Sequence, residues 1–270
     1  TTAIQAAFTA AIAGSVIYFP PGTYRTTSQL RVLVNNISIY GHRNQTTIKP
    51  TTMSGNTALG VITVGYSVAG APVAVSNIEI SDITLDANNV CRALYVSSCT
   101  NGYFHNLTLT NSLSGVAAWE LCTDNVIAYN TVSNAGTADK FGDGIYTSGS
   151  TRMSILLNHV SDFTRIGIVT EASGVTKSRD ALIMGNFCTN GHDATLTEFN
   201  AGIWVENTNS AIVHSNRCTN LYSATHANVP TGIVLGPGTA SAIDNDSAFI
   251  ITDNQVEDVD YGFIINPGND

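Results

Sequence analysis

One pattern recurs five times along the chain: apolar-x-x-Asn-x-apolar-x-Asn/Asp. It reads VIAYNTVSN over 126–134, ILLNHVSD over 155–162, IMGNFCTN over 183–190, VHSNRCTN over 213–220 and ITDNQVED over 251–258. The first Asn column is Asn130, Asn158, Asn186, Asn216 and Asn254, and the second is Asn134, Asp162, Asn190, Asn220 and Asp258. Two earlier stretches, DITLDAN (82–88) and NLTLTN (106–111), fit with an apolar residue in place of the first Asn. A second pattern, Gly-apolar-x-apolar, alternates with the first: GVAA from 115, GIYT from 144, GIVT from 167, GIWV from 202, GIVL from 232 and GFII from 262. Each half reads as a short strand with period-2 patterning, bounded by turn residues. No amphipathic helix fits between the halves, which excludes βαβ units. A unit of 23 to 38 residues built this way cannot bury its apolar face alone. Stacking on the next unit buries it, with strands about 4.8 Å apart. The fold class is therefore all-β, a single β-solenoid. The aligned Asn columns are predicted to be turn and ladder residues that bond to one another along the stack.

Composition narrows what such a solenoid can bind. The 270 residues carry 11 Lys+Arg against 20 Asp+Glu, a net charge of -9. Phosphate binding needs a basic footprint, so nucleic acid is excluded as an electrostatic partner. Only 11% of residues are charged, against about 25% in ordinary domains. Thr, Ser, Asn and Gly take their place, as suits stacked β-structure. No apolar run is long enough for a membrane helix, so no membrane partner is expected. No signal peptide is visible at Thr1. The five cysteines have no CxxC spacing and are expected to be buried small hydrophobes, not a disulfide framework or zinc site.

At the N-terminus, residues 2–13 put Ile4, Ala7, Phe8, Ala11 and Ile12 on one helical face. A helix there would cover the open end of the first coil. The expected organisation is one domain over 1–270: a capping helix (1–15), first coils (16–103) and regular coils (104–270). The opening TTAIQAAFTAAIAGSVIYFPPGTYR, followed by Asn/Gly-rich coils, resembles the pectate-lyase-like superfamily. That resemblance implies a right-handed parallel β-helix with an N-terminal capping helix. It also implies a polysaccharide partner and an extracellular setting, secreted or virion-associated. The superfamily includes polysaccharide lyases, glycoside hydrolases, mannuronan epimerases and phage tailspikes, and the tailspike branch implies a homotrimer. FGDGIYTSG (141–149) is the nearest stretch to the YGFDPHE-like motif of the epimerases. It lacks the His, which weighs against epimerisation.

Turn lengths point to the elaborated side. From ladder Asn to the next Gly, Asn158–Gly167 and Asn254–Gly262 are short, whereas Asn130–Gly144, Asn186–Gly202 and Asn216–Gly232 are long. All three insertions fall at one corner, and loops on a rigid scaffold commonly carry function. With each Gly at zero, residues two and four later point outward. The four-later column is Trp119, Ser148, Glu171 and Glu206, and the two-later column holds Tyr146, Val169, Trp204, Val234 and Ile264. Glu171 and Glu206 are thus expected on adjacent coils facing solvent. Such a pair repels, so at least one pKa should rise, and glycoside hydrolysis needs a proton donor beside a nucleophile or base. The candidate catalytic residues are Glu171, Glu206 and, at the edge, Asp143. Trp119, Tyr146 and Trp204 offer flat faces for sugar C–H bonds. Lys140, Arg165, His192 and His226 are candidates for binding an acidic sugar.

The sequence therefore favours a polysaccharide-cleaving enzyme that hydrolyses glycosidic bonds on an elongated face. One alternative is a lyase acting by β-elimination, in which Ca2+ held by Asp143, Glu171 or Glu206 would neutralise the substrate carboxylate. The other is a non-catalytic glycan-binding or receptor-binding shaft, with Val169, Val234 and Ile264 available for a subunit contact. Hydrolysis calls for no cofactor, and no residue set is assigned to a metal.

Overall fold

The computed structural model describes residues 2–53, 59–136, 142–193, 200–223, 229–236 and 248–265. Its strands form three parallel sheets of nine strands each, with a two-stranded pair, Val75–Ser76 and Cys99–Thr100, beside them. One coil passes through the sheets in turn. Val126–Ala128 lies in the first sheet, Thr131–Ser133 in the second and Ile145–Ser148 in the third; the next coil repeats this with Ser154–Leu156, His159–Ser161 and Ile166–Glu171. Equivalent strands pair in register, as in Ile127 with Ile155 and Val132 with Val160. Inward residues from all three sheets merge into one apolar core that includes Leu109, Ile127, Val132, Ile145 and Phe163.

The corner between the first and second sheets explains the repeat. The residue before each ladder Asn takes a left-handed backbone at Tyr129 (φ 58°), Leu157 (φ 53°) and Ser215 (φ 53°), which turns the chain sharply. The following Asn points inward and satisfies the corner's polar groups. Asn158 Nδ2 donates to Asn186 Oδ1 at 2.9 Å and to the Ile127 carbonyl at 2.9 Å, while its own Oδ1 accepts from Asn130 N and Nδ2. The same bonds recur from Asn186 to Asn216 and from Asn216 to Asn254. The second column is again left-handed, at Asn134, Asp162, Asn190, Asn220 and Asp258; it ends the second-sheet strand at Asn134, Asp162 and Asp258, whereas the strands through Asn190 and Asn220 run on to Asp193 and Ser223.

The glycines of the second pattern open the third sheet. A Cβ on Gly144, Gly167, Gly202 or Gly232 would fall 2.6–2.7 Å from the carbonyl oxygen of the next glycine in the column. The alternation of Gly with an inward apolar residue thus follows from stacking glycine on glycine.

The N-terminal helix spans Thr2–Ala10 and buries Phe8 against Phe19, with Ile4 and Ala11 packed on the core. It is shorter than the sequence pattern suggests. Ala7 is exposed and Ile12 is 73% exposed, because the chain leaves the helix after Ala10 and turns toward the first strand.

Candidate functional site

The outer face of the third sheet carries a column in the order Tyr95, Ala118, Tyr146, Val169, Trp204, Val234, Ile264, one residue per rung. Beside it, two residues later, run Ser97, Glu120, Ser148 and Glu171. The next rung continues with Glu206, whose N–H bonds the Thr170 carbonyl at 2.7 Å. Aromatic rings therefore recur on every second rung, separated by Ala or Val. Each ring's polar atom reaches one rung onward. Tyr95 Oη donates to Glu120 Oε2 at 2.6 Å, Tyr146 Oη donates to Glu171 Oε1, and Trp204 Nε1 donates to the Gly236 carbonyl at 3.1 Å.

Glu171 and Glu206 stand on successive rungs, and the Glu206 side chain is among the groups that act on the Glu171 carboxyl. Burial raises the Glu171 pKa above its ordinary value; the Tyr146 hydroxyl and the positive charge of Arg165 oppose this without cancelling it. The Tyr146 hydroxyl is itself pushed upward by burial and by its bond to Glu171, so it remains a donor.

Arg165 and Asp143 form the floor of this region. Arg165 Nε and Nη2 donate to the two Asp143 oxygens at 2.7 and 2.6 Å, and the side chains are only 10% and 1% exposed. Burial alone would lower the Arg165 pKa. Asp143, with help from Glu171 and Glu206, outweighs it and raises the value. Both Asp143 oxygens are thus engaged by Arg165. The outer face also has its own apolar cluster: Ile166, Val169, Ala201 and Val234 are buried, with Tyr146 and Trp204 packed against them.

These positions correct several expectations. Trp119 does not face the site. It is fully buried in the core, its ring edge-on to Phe104. Val116, not Gly115, aligns with Gly144 when Ala117 pairs with Ile145, so the coil reads one residue out of register and Glu120 takes the outward place. Val169 and Val234 are covered within the chain and offer no subunit contact. Arg165 is committed to Asp143. His192 lies exposed at the end of a second-sheet strand, paired with Tyr222, and no contact links it to the acid pair among the described residues. Lys140 and His226 lie outside the described residues. The Tyr95–Glu120 pair was missed because its coil has Ala93 where later coils have Gly. The signal was there in Tyr95, Tyr146 and Trp204 at equivalent places.

Asp143 is bonded twice to Arg165, and among the described residues no group of three His, Cys, Asp or Glu side chains converges. No helix among the described residues is long and apolar enough to cross a membrane.

Residues 35–218 match the family model described as a right handed beta helix region, and the chain belongs to that family. No curated protein matches it by sequence. Among solved structures, it is similar to the ORF18 protein of Geobacillus virus E2 at 16% identity and a TM-score of 0.64, covering 98% of this chain and 58% of that one. The chain thus spans a little over half the length of the viral protein. Polygalacturonase from Erwinia carotovora ssp. carotovora is similar at 14% identity and a TM-score of 0.57, covering 100% and 93%. Pectate lyase Pel9A is similar at 11% identity and a TM-score of 0.61, covering 98% and 72%. At these identities the likeness is one of fold.

Proposed function

We propose that the protein is an extracellular polysaccharide-cleaving enzyme that hydrolyses glycosidic bonds on the outer face of its third sheet. The observation that carries this reading is the Glu171–Glu206 pair: two carboxylic residues on successive rungs of one face, one with a raised pKa. Glu171, held more protonated than an ordinary carboxyl, donates its proton to the leaving glycosidic oxygen. Glu206 takes the complementary part as nucleophile or base. Tyr146 fixes the Glu171 carboxyl through its hydroxyl, and Arg165 with Asp143 sets the local charge. The Tyr146 and Trp204 rings give the sugar an apolar wall. Similarity in fold to a polygalacturonase and a pectate lyase is consistent with polysaccharide as substrate.

Hydrolysis is favoured over elimination by the state of Arg165. A lyase needs a cation to neutralise the substrate's carboxylate, and this guanidinium is already bound to Asp143. The acid-lined face favours a neutral glycan.

The test is a panel of neutral and acidic polysaccharides, followed by reducing-end release and by ultraviolet absorbance. Hydrolysis releases reducing ends without absorbance, and Glu206→Gln abolishes that release with the far-UV spectrum unchanged. Absorbance growth would replace hydrolysis by elimination. A glycan bound but uncut by the unmodified protein would favour the non-catalytic binding shaft.

A further inference from the structure

A cavity of about 670 Å³ opens at the N-terminal end of the same outer face, between the helix and the first rungs of the third sheet. Gln5, Phe8, Thr9, Arg31, Leu59 and Tyr66 are among its walls. The cavity is joined to the acid pair by continuous packing. Leu59 packs with Tyr95 and Ala118, and Tyr66 and Tyr146 pack against that cluster. The Tyr66 ring meets Tyr95 edge-on at 5.6 Å, and Tyr146 bonds Glu171. Arg31, Thr63, Tyr95, Ala118, Tyr146 and Val169 are register partners on successive rungs. The cavity and Glu171 are therefore separated by four to five rung spacings, roughly 19–24 Å.

The walls combine an aromatic ring with fixed polar groups, the mixture that recognises a sugar ring. The Arg31 guanidinium is held by the Tyr66 and Ser67 carbonyls at 2.8 and 3.0 Å and by Gln29 Oε1 at 3.3 Å. Gln5 is oriented from both ends: its Oε1 accepts from Arg31 N at 3.2 Å, and its Nε2 donates to Thr9 Oγ1 at 3.3 Å. The groups are preorganised, so little ordering entropy is lost on binding.

We infer that this cavity is a distal glycan subsite, which holds a neutral pyranose unit of the same chain whose scissile bond lies at Glu171 and Glu206. The inference rests on the reading of the acid pair as the cleavage site. An extended pyranose advances by about one rung spacing, so a glycan parallel to the solenoid axis reaches from the acids to the cavity only when it is five or six units long. Shorter chains contact one end alone.

The test uses gluco-, manno-, xylo- and galacto-oligosaccharides, from disaccharide to octasaccharide, titrated calorimetrically onto the Glu206→Gln protein so that nothing is cut. For the series that binds, affinity is expected to step up about tenfold or more between tetrasaccharide and hexasaccharide. Thr9→Trp, which fills the cavity from the exposed helix surface, is expected to erase that step; Tyr66→Ala tests the same wall by removal. Affinity that climbs evenly with length and ignores Thr9→Trp overturns the subsite, as does a failure of every series to bind. A step abolished by Thr9→Trp, with no polysaccharide cut by the unmodified protein, removes the hydrolase reading and leaves the subsite standing.

Discussion

Arg165 grips Asp143 through two parallel hydrogen bonds, 2.7 and 2.6 Å long, across one rung and almost out of reach of water. Two-point geometry and burial make the pair strongly interdependent. Removing one partner leaves a buried charge with no counter-ion. Arg165→Met is therefore expected to cost about 3–5 kcal/mol of stability in urea titration, and Arg165→Met with Asp143→Leu to recover most of it. A single variant as stable as the parent would mean that water reaches Asp143 after all.

Glu171 gives the fold a pH dependence of unusual sign for a carboxylate. Burial holds its folded pKa above the ordinary value of 4.5, so the folded state binds this proton more tightly than the unfolded chain does. Its favourable contribution is full below the unfolded pKa and is lost as pH rises through the folded one. Glu171→Gln cannot ionise and escapes that loss. Its melting temperature, relative to the parent, should rise as pH is taken from below 4.5 to neutrality. A difference that stays flat with pH would show that Glu171 titrates as a surface acid.

The Asn ladder is expected to be strongest in its middle. Asn158→Ala would strip the partner from Asn130 N, take the Asn158 amide away from the Ile127 carbonyl, and remove one of the two bonds at Asn130 Nδ2 and at Asn186 Oδ1. Buried groups left unsatisfied cost about 1–3 kcal/mol each. The variant should lose at least about 2 kcal/mol, and more than Asn254→Ala at the last rung, where the corner is only partly buried. Equal losses at the two positions would contradict this account of the corner.

The five cysteines are all free and buried. Burial pushes the Cys91 and Cys99 thiols up to about 12, and Cys188, stacked on Cys218, is raised by that contact and by burial. Thiolate is the reactive form. A chromogenic disulfide reagent is expected to find no thiol in the native protein and all five in denaturant. Rapid native reaction would mean that rungs open locally.

The solenoid was legible because its constraint is periodic. Asn130, Asn158, Asn186 and Asn216 share one corner and one set of bonds, so the physics repeats at a spacing the sequence displays. Glu171 and Glu206 were legible as neighbours for the same reason, since Gly167 and Gly202 mark their register. Trp119 was misplaced where that marker fails. Its coil has Val116 at the glycine position, the Gly stands one residue early, and a single-residue slip moves a side chain from one face to the other. The Arg165–Asp143 pair was beyond reach, because it joins two coils through side-chain geometry that no spacing encodes. The apolar outer cluster was partly in view, since Val169, Trp204 and Val234 form an unbroken apolar column.

If the acid pair cleaves as proposed, rung spacing sets the stereochemistry. Carboxyl groups on adjacent rungs start from backbones about 4.8 Å apart. Retaining glycosidases hold their pair about 5–5.5 Å apart, and inverting ones about 6.5–9.5 Å to admit a water between substrate and base. Glu171 and Glu206 occupy adjacent rungs, and the Tyr146 bond restrains Glu171 from swinging away. A separation set by one rung spacing falls nearer the retaining range than the inverting one and leaves little room for the intervening water. On the proposed reading, Glu206 attacks the anomeric carbon while Glu171 protonates the leaving oxygen, which gives a covalent glycosyl ester on Glu206; water, deprotonated by Glu171, then breaks that ester bond, and the two inversions return the released sugar with its original anomeric configuration. Proton NMR of the first products, taken before mutarotation, would detect the retained anomer. An inverted first product would require the two carboxyl groups to part by at least one further ångström or so, and would reassign the base to another residue of this face.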